Sequence, residues 1–166
     1  MSPLFYKYDA GAVILPSELV RSIYRANQLY RAAFRDNLFR IKDGGYLGLR
    51  PDMLDRFIKE KVWTVGLKYE AEAFDCDDFA AVARGEVLKA AKDHQLEGMD
   101  VTKPGDERIR KNLFVAEVCH YNQSGDYHDA LNFMDSLGRI WYFEPQNGVL
   151  TMNLEGHIRE ACEVWG

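Results

Sequence analysis

The hydrophobic period of this chain changes once, near Asn112, and that change constrains the fold more than any other feature. Before it, apolar residues recur at three- and four-residue spacing; after it, they alternate. Val20, Ile23, Tyr24, Tyr30 and Phe34 make one helical face behind the capping residue Ser17, in a helix expected to end between 34 and 38. Asp43-Gly44-Gly45 reads as a turn. A second helix follows from Pro51, with Leu54, Phe57, Ile58 and Val62 on one face. A third runs from about 75 to near 94, carrying Phe79, Ala80, Ala83, Val87, Ala90 and Ala91. Residues 96–108 are polar, contain Pro104-Gly105 and read as a surface loop. Beyond Asn112, strands are expected to about 121, over 127–134 and over 139–143, and Pro145-Gln146-Asn147-Gly148 ends the last. Ile158, Ala161 and Cys162 at helical spacing predict a closing helix over 155–165. The outline is α+β, N-terminal helices followed by an antiparallel sheet.

With 166 residues and 47% apolar side chains, the chain fits one domain, 1–166. A net charge of −5 without any Lys/Arg block argues against nucleic acid or an anionic membrane as partner. The first fifteen residues lack the pattern of an export signal, and no eighteen-residue apolar stretch occurs, so the expectation is a soluble protein. Its place is cytoplasmic by default, with virion association as the alternative; the oligomeric state is left open. Cys76, Cys119 and Cys162 are odd in number and widely spaced, which suits reduced thiols rather than a disulfide framework or a zinc site. Cys119 and His120 alternate to opposite faces of one strand and cannot serve one site together.

The chemistry-bearing stretch is Glu72-Ala73-Phe74-Asp75-Cys76-Asp77-Asp78-Phe79-Ala80. Asp75 is a natural N-cap, and Asp78 stands three residues on, where it can reach back to the cap's amide. Cys76 therefore lies in the first helical turn, where the dipole and free amides favour a thiolate. Asp75, Asp77 and Asp78 oppose that charge, so a nucleophile here needs a cationic partner, for which histidine is expected. The competing reading makes Cys76 a small buried residue and the aspartates ordinary caps. An EF-hand loop is excluded, because Phe79 and Ala80 fill its fifth and sixth places.

A second informative stretch is Tyr127-His128-Asp129-Ala130-Leu131-Asn132-Phe133, followed by Trp141-Tyr142-Phe143-Glu144-Pro145-Gln146. A cysteine on a helix start, a histidine on a later strand and a carboxylate ending the next strand is the order of a nucleophile, its base and the group orienting that base. Here the chain resembles the papain and transglutaminase-like cysteine hydrolases. Phe74 to Ala80 looks like the helix start of bacterial transglutaminase-like cysteine proteinases, and the segment from His128 to Gln146 is similar to the protease-like C-terminal domain of mushroom agglutinins.

The resemblance implies a papain/transglutaminase-like core and a cysteine-dependent hydrolase or acyl transferase acting on amide bonds of a protein or peptide substrate. Cys76 would be nucleophile, His128 base and Glu144 the orienting residue. One position departs from the pattern. Asp129-Ala130-Leu131-Asn132 fills the frame in which the agglutinins and transglutaminases place histidine, so either the histidine has moved by one residue or the site is disabled. The hairpin decides which residue shares a face with Glu144: a three-residue loop Ser136-Leu137-Gly138 pairs Asp135 with Arg139 and puts His128, not Asp129, on Glu144's face. No cofactor is required for this chemistry. Asp75, Asp77 and Asp78 form a hard-oxygen metal set suited to calcium, on which the resembled agglutinin domains depend. The alternative function is a non-catalytic binding or structural module, of phage or accessory type, that keeps the fold.

Overall fold

The computed structural model describes residues 13–14, 21, 24–41, 46–62, 75–93, 97–99, 108–110 and 113–166. Ser17, Val20, Ile23, the Gly44-Gly45 turn and Pro104-Gly105 lie outside the described residues. The strands are β1 (Val13–Ile14), β2 (Phe39–Arg40), β3 (Tyr46–Leu47), β4 (Glu97–Met99), β5 (Arg108–Arg110), β6 (Val115–Tyr121), β7 (Tyr127–Met134), β8 (Ile140–Glu144), β9 (Val149–Thr151) and β10 (Glu160–Trp165). The helices whose bounds are described are α1 (Arg31–Arg35), α2 (Pro51–Lys61) and α3 (Cys76–Asp93), and residues 21 and 24–26 are also helical. Six strands form one sheet in the order β2-β10-β6-β7-β8-β9, while β1 pairs with β3 and β4 with β5. The class is α+β. The large sheet is mixed rather than antiparallel throughout, because β2 runs parallel to β10.

Strand alternation explains the core. Leu131, Phe133 and Phe143 point to one face of the sheet, where they pack with Phe57 and Ile58 of α2 and Ala80, Ala83 and Val87 of α3. Ala130, Met134 and Tyr142 point to the other, where Tyr24, Tyr30, Ala33 and Phe39 cover them. The two central strands are thus buried on both faces, which accounts for the apolar run around Asn132. Asn132 is itself fully buried and accepts the hydroxyl of Tyr30 at 2.7 Å, while its Nδ2 donates to the Trp141 carbonyl at 3.2 Å.

The β7–β8 turn sets the register. Gly138 adopts φ +77° and its amide donates to the Asp135 carbonyl at 3.0 Å, while the Asp135 amide donates to Arg139. The loop is three residues long, and Leu131 pairs with Phe143 and Met134 with Ile140.

Three expectations change. The first helix is interrupted at Asn27, whose extended backbone and side-chain bond to the Leu29 amide start a separate 3-10 turn, Gln28–Tyr30, ahead of α1. Part of the expected surface loop is the β4–β5 pair. The closing helix does not form: Leu154–Gly156 is a 3-10 turn and the rest is β10. A register shift between Ala161 and Glu163 puts Ala161 and Val164 on one face three residues apart, and that bulge imitates helical spacing.

Candidate functional site

At the start of α3, Phe79 donates its amide to the Asp75 carbonyl at 3.0 Å, and the Asp75 amide reaches Asp78 Oδ2 at 3.4 Å. Phe79, Ala80 and Ala83 are buried and anchor the helix, and the half-buried Cys76 thiol meets the Asp129 backbone. Burial pushes the Cys76 thiol up; the Asp129 backbone pulls it down by hydrogen bonding, and the charges of Asp129, Asp75 and Asp77 push it up again. The net shift is upward. Desolvation and the carboxylates thus act against the thiolate that a helix N-terminus favours.

His128 and Glu144 meet on the other face. His128 Nε2 pairs with Glu144 Oε2, the Tyr142 hydroxyl donates to the same oxygen at 3.2 Å, and the Gln146 amide donates to Oε1 at 3.2 Å. Burial lowers the imidazole's affinity for a proton, but the bond to Glu144 and its charge more than offset that, and the net shift is upward. His120 lies against His128 with ring centroids 5.4 Å apart, and it is fully buried. Desolvation, followed by the His128 charge, holds it down to about 4. The His157 ring stacks on Tyr142 at 4.6 Å.

The structure brings His128 and Glu144 together, and the charge of Cys76 bears on Tyr142, which shares Glu144 with His128. Alternation along β7 sends His128 toward Tyr142 and Asp129 to the opposite face, where its carboxylate bonds the Cys119 thiol, while the Cys76 thiol meets the Asp129 backbone. His120 likewise faces away from Cys119, which pairs across the strands with Asp129.

Two clusters of metal-capable groups occur among the described residues. The donor oxygens of Asp75, Asp77 and Asp78 lie within 4.8 Å of one another, as do donor atoms of Glu117, Cys119 and Asp129. The second cluster escaped sequence reasoning because its members are brought together only by the β6–β7 register. The signal was present in the turn at 122–126, which pairs Tyr121 with Tyr127 and so places Cys119 opposite Asp129.

No family model matches the chain, and no curated protein does. Solved structures do match. A structure described as the PSL1a-E64 complex has a TM-score of 0.67 and 23% identity, and the match covers 90% of this chain and 49% of that one. Polyporus squamosus lectin bound to the human-type influenza-binding epitope Neu5Aca2-6Galb1-4GlcNAc matches with a TM-score of 0.55 and 23% identity, covering 76% of this chain and 41% of that one. The chain thus spans about half or less of the lectin chains it resembles, and at this identity the likeness establishes the fold. These findings overturn the assignment to papain or transglutaminase-like cysteine hydrolases, and with it the descriptions hydrolase, thiol protease and transglutaminase-like. The Polyporus squamosus match is a lectin by its description, and the order Cys76, His128, Glu144 does not by itself fix a function. A protein or peptide substrate loses its support on the same ground. Among the described residues no helix is long and apolar enough to cross a membrane.

Proposed function

We propose that the chain is a non-catalytic binding module, and that its partner is a glycan. The observation that carries the non-catalytic part is the surroundings of Cys76, where burial and then the charges of Asp129, Asp75 and Asp77 disfavour the thiolate and a nucleophile needs a cation. The glycan is suggested by the epitope bound to the lectin of similar fold.

A surface of suitable chemistry lies at the β6–β7 hairpin. Tyr121 and Tyr127 are 37% and 50% exposed, their ring centroids stand 5.7 Å apart, and the Arg159 guanidinium lies 5.7 Å over the Tyr121 ring. Exposed aromatic faces pack against the C–H faces of sugars, and a guanidinium binds a sugar carboxylate in bidentate fashion. Asp75, Asp77 and Asp78 are kept as proposed ligands for calcium, a role separate from this surface.

A glycan array followed by calorimetry with Neu5Aca2-6Galb1-4GlcNAc tests the partner. Binding that falls at least about tenfold in Tyr121→Ala is the expected result; an array without any hit removes the glycan. Alkylation tests the non-catalytic part independently. At pH 7.4 an ordinary thiol is only about 7% thiolate, and Cys76 should react with iodoacetamide or E64 more slowly than such a thiol. Faster labelling of Cys76 than of the denatured chain would overturn the reading.

A further inference from the structure

The sheet face beneath the start of α3 gathers acidic groups, on which Arg84 and His128 act with opposite charge. Glu117 and Cys119 on β6 and Asp129 on β7 present donor atoms within 4.8 Å of one another. Asp77 and Glu163 act on the same groups with like charge. Arg84 is the cation that bears on Glu117, and its Nε is engaged with the Val115 carbonyl at 3.3 Å. Asp129 is 5% exposed, yet its Oδ1 has no hydrogen-bond partner. A buried carboxylate oxygen without a donor is costly, and proteins seldom leave one so unless something else binds it. The other interactions in the cluster do not fill that place: the Asp129 side chain bonds the Cys119 thiol, and the Tyr127 hydroxyl bonds the same thiol.

We propose that Glu117, Cys119 and Asp129 form a binding site for a divalent cation of the zinc class. One sulfur and two carboxylates are ligands that zinc accepts together in tetrahedral geometry, with distances of about 2.3 Å to sulfur and about 2.0–2.2 Å to oxygen. The thiolate is soft and selects against calcium and magnesium, whose ligands are oxygens throughout. Binding removes the proton from Cys119 and releases it to solvent, and the metal takes over the charge that Asp129 Oδ1 now leaves uncompensated. Three protein ligands leave a fourth position for water. The site differs in kind from Asp75, Asp77 and Asp78, which offer only carboxylates.

Cobalt(II) is the probe, because a thiolate ligand gives it a charge-transfer band in the near ultraviolet. The chelator-treated full chain should develop that band at one equivalent of cobalt, and zinc should displace it. Cys119→Ser should abolish the band, Asp129→Asn should weaken cobalt binding at least tenfold, and Cys76→Ser and Cys162→Ser should leave both unchanged. If Cys119→Ser does not fold, Asp129→Asn decides alone, and unchanged affinity in that variant overturns the site. The proposal also fails if no band appears in the wild type, if the band survives Cys119→Ser or disappears with Cys76 or Cys162, or if millimolar calcium displaces the cobalt.

Discussion

Replacing Glu144 with glutamine tests the pairing on the far face of the sheet, and its cost can be worked from the contacts. The side chains of His128 and Glu144 are 19% and 11% exposed, so their bond is largely shielded from water. A hydrogen bond to a charged group contributes about 1.5–3 kcal/mol and a neutral one about 0.5–1.5, so loss of the charge costs about 1 kcal/mol while the imidazole is protonated. Glutamine also cannot satisfy every donor. If its carbonyl keeps His128 and Tyr142, its NH2 faces the Gln146 amide, donor against donor, which adds about 1–2 kcal/mol.

The pH dependence separates these two contributions. His128 is raised in the folded state, so the stability it contributes is complete below the ordinary histidine value near 6.5 and is lost as pH rises through the folded value. The substitution should cost about 2–3 kcal/mol at pH 6 and less at pH 8, by up to about 1 kcal/mol. Urea denaturation at the two pH values measures the difference. Other raised carboxylates, Asp129 and Glu117, titrate alike in both proteins and cancel. Equal costs at pH 6 and pH 8, or an NMR titration placing His128 below 6.5 in the wild type, would refute the reasoning.

Two further substitutions read out other parts of the structure. Tyr30→Phe removes the donor at 2.7 Å from buried Asn132 and should cost about 1–2 kcal/mol in denaturation, with Tyr24, at 3.4 Å, too distant to replace it fully. Millimolar calcium should raise the melting temperature through Asp75, Asp77 and Asp78, and Asp78→Asn should remove that rise; a wild type whose melting temperature ignores calcium excludes those ligands.

Much of this fold is legible in the sequence wherever one periodicity acts alone. Leu54, Phe57 and Ile58 announce α2, the spacing from Phe79 to Ala91 announces α3, and Gly138 announces the three-residue loop that fixes which β8 residues face which β7 residues. Legibility fails where a local device disguises the period. The bulge in β10 turned a strand into an apparent helix, and Asn27 cut a helix whose apolar face continues across the break. The site was half legible for a similar reason. The pairing of His128 with Glu144 follows from a hairpin between adjacent strands, which loop length determines. Which face of the sheet receives α3 depends on packing between elements distant in sequence, and no local pattern around Cys76 encodes it.

That choice of face gives the one-residue offset between His128 and Asp129 its meaning, and it can be tested by moving the imidazole. In a strand, adjacent side chains point to opposite faces, so a histidine at 129 would stand on the face opposite His128, at the residue whose backbone the thiol meets. Asp129→His removes one of the charges that push the Cys76 thiol up and supplies a cation in its place, while leaving the bond between His128 and Glu144 intact. Each unit by which the thiol is lowered increases the thiolate fraction about tenfold at neutral pH, so alkylation of Cys76 should accelerate by roughly that factor, with Asp129→Asn falling between. On the non-catalytic reading, His128→Ala in the wild-type background should leave the rate unchanged. A Cys76 rate indifferent to Asp129→His, or one that falls in His128→Ala, would mean that His128 serves the thiol, and the non-catalytic reading would be lost.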